Sequence, residues 1–223
     1  MPRPRLHSVD DLLDVAERLV TSGDPAGLTL RALASSAGAS NGSIYHAFRS
    51  REELLARLWL RSAARLGAIM EEAVRSAGKR DEGGRGAVVA VALSPLVLAR
   101  RYPVSAQLFF GQRSDQLFSA DLAPEVAAAL GAEQKRFIGL LIALSEGVWG
   151  RRDRLAVEAI TACVVDVPGG LLRRVLLEGR GVDDATERRI EAAVRAVLAV
   201  PLDPPRRKPA PSAIDARPPS PKS

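Results

Sequence analysis

The stretch from Thr29 to Phe48 constrains the fold most. Thr29 stands before Leu30-Arg31-Ala32-Leu33-Ala34-Ser35-Ser36-Ala37, and Gly38 follows. A threonine hydroxyl suits a helix N-cap, and glycine suits the residue after a helix end. The spacing predicts a helix of about two turns. Ser40 caps a second short helix, with Ile44 and Phe48 one turn apart on its inner face. Ala34, Ala37 and Gly38 are small where two helices must cross closely. Two short helices joined by a tight glycine-containing turn have helix-turn-helix geometry, whose second helix lies in the DNA major groove.

The rest of the chain reads as helix almost throughout. Ser8 and Asp11 make an S-x-x-D cap for a helix from Val9 to about Ser22. Val9, Leu12, Leu13, Ala16, Leu19 and Val20 recur on one face of it. Ser50 and Glu53 make a second capping pattern, opening a long helix that Gly78 stops. Lys79 to Gly86 reads as a glycine-rich, charged connection. Beyond it, helices are expected near 87–101, 103–112, 124–147, 152–178 and 184–199. Pro95 and Pro168 should bend or interrupt two of them. Strand alternation, internal repeats and nucleotide-binding glycine fingerprints are absent from the sequence.

The formal charge of +6 suggests an acidic partner, but its distribution weakens that argument. Residues 1–61 carry a net +1, residues 62–200 a net +2 and residues 201–223 a net +3. Half the excess lies in the tail, so the motif must carry the functional reading. Residues 1–7 have no apolar core of a secretory signal. The longest mostly apolar stretch, Ala87 to Ala99, is short for a membrane span of about 18 residues. A soluble cytoplasmic protein is the simple reading. Cys163, the single cysteine, lies in an apolar run and reads as a small buried hydrophobe or a redox switch.

With Ile44 and Phe48 turned inward, the other face of the second short helix carries Asn41, Gly42, Ser43, Tyr45 and His46. The polar side chains among them can hydrogen-bond phosphates or base edges. Arg49 and Arg51 follow, and no acid occurs from Ala39 until Glu52. Ser40 and Ser50 open helices whose first N–H groups can bind phosphates. Each residue also has a plainer reading. Tyr45 could be amphipathic core, His46 solvated surface, Arg49 a helix-end charge, and Thr29 only a cap. Arg3 and Arg5 belong to a loose arm or enter a minor groove.

At this point the sequence resembles the DNA-binding domain of the tetracycline-repressor (TetR) family. The matching residues are Ala16, Gly23, Leu28-Thr29-Leu30-Arg31-Ala32-Leu33-Ala34, Ala37-Gly38, Ser40, Gly42-Ser43-Ile44-Tyr45, Phe48 and Ser50-Arg51-Glu52-Glu53-Leu54-Leu55. The resemblance implies phosphate contacts from Thr29, Arg31, Tyr45 and Arg51. The family commonly has Lys at the positions of Asn41 and Arg51. Arg51 keeps the charge, whereas Asn41 exchanges it for a side chain able to pair with adenine. The loop Asp24 to Leu28 is one residue longer than the commonest family form.

The resemblance implies an all-α fold. A three-helix DNA-binding domain is joined by a long helix to a helical regulatory and dimerisation domain. The expected divisions are a basic arm at 1–7, the DNA-binding domain at 8–56, a ligand-binding and dimerisation domain at 57–200, and a disordered Pro-rich tail at 201–223. Eight of the 23 tail residues are proline. The tail is inert, or Arg206-Arg207-Lys208 adds non-specific DNA affinity. Family members are two-fold dimers built on their last two long helices. Here Leu155, Ile160, Val164, Leu171, Leu172, Val175, Ile190, Val194 and Val197 supply the apolar surface, with subunit core as the competing reading for some. Tyr102, Phe109, Phe110, Phe118, Phe137 and Trp149 are candidates for the wall of an effector pocket, against ordinary core packing.

The expected partners are a near-palindromic DNA operator, a second copy and an apolar or amphipathic small molecule that releases the DNA. No cofactor, metal or membrane is expected. The sequence has no nucleophile–base pattern, no H-E-x-x-H spacing and no phosphate loop, so an enzyme is not expected. A helical interaction protein and a ligand-independent regulator are the alternatives.

Overall fold

The computed structural model describes residues 8–22, 27–79, 83–111, 121–177 and 181–204. Among them all regular structure is helical. The expected basic arm, with Arg3 and Arg5, Phe118, and the tail from Pro205 onward lie outside the described residues.

Helix α1 (Val9–Ser22) is closed at its start by a reciprocal box: Ser8 Oγ accepts from the Asp11 N–H, and Asp11 Oδ2 from the Ser8 N–H. In α2 (Leu30–Ala37), Thr29 Oγ1 accepts from the Ala32 N–H. Gly38 ends that helix at φ 63°, the left-handed region that favours glycine. In α3 (Asn41–Ala47), Ser40 Oγ accepts from the Ser43 N–H. These caps satisfy helix-end N–H groups, so local sequence sets where each short helix begins.

Helix α4 (Arg51–Lys79) runs on past Gly78, the expected stop. Ser50 caps it through the Glu53 N–H at 3.1 Å. The Glu53 carboxylate is buried and pairs through Oε1 with Arg57 at 2.9 Å. Its Oε2 has no hydrogen-bond partner.

The body follows. Helix α5 (Gly83–Arg101) starts four residues before the sequence suggests. Gly83 turns the chain at φ 67°, and Gly84 lies against α7 (Pro124–Trp149). A Cβ on Gly84 would stand 2.1 Å from the Gly147 carbonyl oxygen. These glycines therefore serve a helix start and a close crossing. Pro95 does not interrupt α5. Helix α6 (Pro103–Gly111) follows.

The expected 152–178 helix is α8 (Arg154–Thr161), a π-helical turn (Ala162–Asp166) and α9 (Val167–Leu177). The Val167 N–H reaches back five residues to the Ala162 carbonyl. The wide turn sits just before Pro168, whose ring and missing N–H disturb a regular ladder. Helix α10 (Asp184–Ala199) closes the fold, capped by Asp183. Pro201 to Pro204 are described, and the Asp203 carbonyl accepts from Arg151 Nη1 at 2.8 Å. The first residues of the expected disordered tail are thus tied to the body.

Two apolar cores result. The first joins Leu12, Ala16, Leu33, Ile44, Phe48, Leu54 and Leu58 with Leu108 of α6 and Val126 and Leu130 of α7. The second gathers α5 with the later turns of α4, α7, the π turn, α9 and α10. The first core therefore contains side chains from both sides of the boundary expected after residue 56.

Two helical stretches, Gly83–Arg101 and Arg154–Leu176, are long and apolar enough to cross a membrane by length and composition. This corrects the sequence reading, which bounded the apolar stretch too tightly at Ala87 and Ala99. Gly83–Arg101 is the central helix of the second core.

Candidate nucleic-acid interface

The α2–α3 pair presents one surface built from both helices. Ile44 and Phe48 are fully buried and fix α3 to the first core. With those two inside, Asn41, Gly42, Ser43, Tyr45 and His46 are all exposed. Tyr45 is 60% exposed, a large aromatic that the protomer leaves uncovered. Ser40 is exposed and shares a 2.9 Å hydrogen bond with the Ser43 hydroxyl. A Cβ on Gly42 would meet only Ser40 Oγ at 3.8 Å, so packing does not require this glycine. Its small size leaves the start of α3 open to close approach.

Thr29 and Arg31 are exposed at the start of α2, on the elements that carry the α3 face. Arg49 is exposed and Arg51 half-buried. The Arg51 Nε donates to the Leu28 carbonyl at 2.7 Å, tying the start of α4 to the residue before the α2 cap. Asp10, Asp14 and Glu17 of α1 engage Arg61 and Arg65 of α4. Burial works against the Arg61 charge, but hydrogen bonds to Asp10 and Asp14 hold its guanidinium above its ordinary range. The arrangement offers polar and aromatic groups on a short, firmly seated helix, without fixed negative charge between Pro25 and Arg51.

Residues 12–58 match the profile of the bacterial regulatory proteins of the tetR family. This segment is therefore similar to the DNA-binding domain of TetR-family regulators. An uncharacterized HTH-type transcriptional regulator of Mycobacterium tuberculosis (strain CDC 1551 / Oshkosh) is 42% identical over 60 residues. That stretch is 27% of this chain and 30% of the relative's length. Among solved structures, a protein of unknown function from Rhodococcus sp. RHA1 superposes with a TM-score of 0.62 at 22% identity, covering 88% of this chain and 97% of that one. A TetR-family transcriptional regulator from Streptomyces coelicolor gives 0.59 at 22% identity, over 85% and 96% of the two chains. These likenesses show that the chain shares an all-helical fold with both structures over the body as well.

The five described aromatic candidates, Tyr102, Phe109, Phe110, Phe137 and Trp149, are partly buried and pack against the second core. Phe109 stacks on Trp59 with ring centres 5.1 Å apart, and Phe110 meets Phe109 edge-on at 5.2 Å. Tyr102 lies between Arg65 and Arg101, at 4.8 Å and 5.3 Å from its ring centre. Phe137 and Trp149 pack against the second core from α7. Sequence reasoning missed Trp59. It also missed the α1–α4 ion pairs, although a signal was available. Asp10, Asp14 and Glu17 recur at helical spacing, as do Arg57, Arg61 and Arg65, making two complementary stripes.

Of the expected interface residues, Ile160, Val164, Leu172, Val175, Ile190 and Val194 are buried within the protomer. Ile160, Val164, Leu172, Ile190 and Val194 belong to its second core. Leu155, Leu171 and Val197 are half-buried and keep an open side. Cys163 is fully buried on the π turn, and burial pushes its thiol up to about 11. A group so held favours the neutral thiol, as a small core hydrophobe does.

Proposed function

We propose that this protein is a homodimeric, DNA-binding transcription regulator of the cytoplasm. On this reading it is a repressor released from a near-palindromic operator by a small-molecule effector. The observation that carries the DNA-binding part is the uncovered face of α3, with Tyr45 60% exposed between the buried anchors Ile44 and Phe48. An exposed tyrosine hydroxyl among polar side chains on a short, anchored helix suits contact with a phosphate backbone. Tyr45, Thr29, Arg31 and Ser40 contact phosphates, and Asn41, Gly42, Ser43 and His46 approach the base edges. Arg51 supports this surface from behind.

Dimerisation is supported by Arg154–Leu176, an apolar stretch whose most apolar 18-residue window is only 33% buried. A second copy placed against it would cover Leu155, Val165 and Leu171. The paired α3 helices would then meet half-sites about 34–36 Å apart. Effector release needs a coupling of only about 1–3 kcal/mol between the body and the reading heads. The partly buried aromatics Phe109, Phe110 and Phe137 suit an apolar effector.

The test is selection from random duplexes by the full-length protein, followed by titration at two salt concentrations. An enriched near-palindrome, bound much more tightly than random DNA and weakened by Tyr45→Ala, is expected. Weak, sequence-independent binding would overturn the reading.

A further inference from the structure

Arg61 and Arg65, one turn apart on α4, hold the acidic face of α1. Arg61 donates to Asp10 at 2.9 Å and also to Asp14. Arg65 Nη1 donates to Glu17 Oε1 at 2.7 Å and, on the other side, to Ser105 Oγ. Ser105 is fully buried and belongs to α6. The same guanidinium lies over the Tyr102 ring, just before that helix. One side chain therefore touches both the α1–α3 head and α6 of the body.

Apolar contacts also cross this joint, beside an Arg57–Glu125 ion pair at 3.5 Å. Leu108 of α6 enters the head's core, and Trp59 stacks on Phe109. Apolar contacts are non-directional and tolerate sliding. A guanidinium sends out its N–H groups in a fixed planar fork, so bonds to Glu17 and Ser105 constrain angle as well as distance. Charge-assisted bonds are also the stronger kind.

We propose that Arg65 is a positioning residue that locks the tilt of the α1–α3 head on α6. This sets the separation at which paired α3 helices meet two DNA half-sites. The proposal rests on the dimeric DNA-binding reading above. Arg65 lies about 21 Å along α4 from Arg51, so its effect falls on half-site spacing and leaves the reading of each half-site alone.

The experiment uses the full-length wild type, Arg65→Met and Ser105→Ala. Each is titrated against the selected near-palindrome, the same duplex with one base pair inserted between the half-sites, and a single half-site. Arg65→Met keeps an apolar stem. Ser105→Ala removes a single oxygen, and thermal melting verifies that each variant is folded. The insertion is expected to cost the wild type roughly tenfold in affinity and the variants only about twofold, a difference within ordinary coupling between sites. Single half-site affinity stays unchanged. Folded variants that keep the wild-type spacing penalty, or that lose single half-site affinity, overturn the positioning role alone. A wild type that enriches no near-palindrome overturns the DNA-binding reading and this proposal with it.

Discussion

The Arg51 Nε donates a 2.7 Å hydrogen bond to the Leu28 carbonyl, 23 residues earlier in the chain. Leu28 is buried, and the next residue is Thr29, which caps α2. A side chain expected from sequence to meet DNA phosphate is thus bonded to the loop that sets α2. The two roles separate by salt dependence. Each lost phosphate contact lowers the slope of log affinity against log salt by about 0.9. Arg51→Gln is expected to destabilise the fold by about 1–3 kcal/mol through the loss of a charged hydrogen bond, and to weaken DNA binding with the slope unchanged. A slope lower by about one contact would return Arg51 to the phosphate side.

This residue marks the limit of what could be read from the chain. Ser8, Thr29, Gly38, Ser40 and Ser50 each act on partners only a few residues away, so sequence alone located the short helices and the inward side of α3. Local pattern could not report where Arg51 bonds, because Leu28 is distant in sequence. Ile160, Leu172 and Ile190 had the same apolar pattern whether they met the protomer's own core or a second copy. Glu53 fitted a capping box by spacing. Arg57, one turn later, takes its carboxylate instead.

The Gly84–Gly147 crossing gives a prediction for stability. A Cβ at Gly84 would overlap the Gly147 backbone, which cannot rotate away as a side-chain tip can. Gly84→Ala is expected to destabilise by about 1–3 kcal/mol, as other overpacked sites do. Gly139, on the same α7, is exposed, and a methyl group there would meet nothing within 4 Å. Gly139→Ala should stabilise by about 0.4–1 kcal/mol by restricting the unfolded chain. Denaturant melts of the two variants would show opposite shifts, and an unshifted Gly84→Ala would mean that α5 and α7 part without cost.

Asp153 joins the start of α8, through Arg151, to the segment that follows α10. The Arg151 guanidinium holds its carboxyl well below the usual range, at about 2. Asp153 also caps α8 through the Ala156 N–H, and Arg151 binds the Asp203 carbonyl. A depressed carboxyl stabilises the fold above its unfolded pKa of about 4, and that contribution is lost as pH falls to about 2. Asp153→Asn keeps the cap and removes the titration. The difference in melting temperature between wild type and Asp153→Asn should therefore be largest above about pH 4 and shrink towards about pH 2. A difference independent of pH would show that the cap alone matters.

Val165 tests the proposed dimer. It is 39% exposed on the π turn, whereas its neighbours Cys163 and Val164 are buried in the protomer core. The two directions separate assembly from folding. Val165→Arg should leave the protomer folded, because its side chain has room in solvent. On the dimer reading it places a charge in an apolar interface, where an unpaired charge is costly. Sedimentation should then report half the wild-type mass with unchanged helicity. Val164→Arg should lose helicity as well, since it forces the charge into the core. A Val165→Arg protein that keeps the wild-type mass would remove this face from the interface and leave the outer sides of Leu155 and Val197 to be tried by the same comparison.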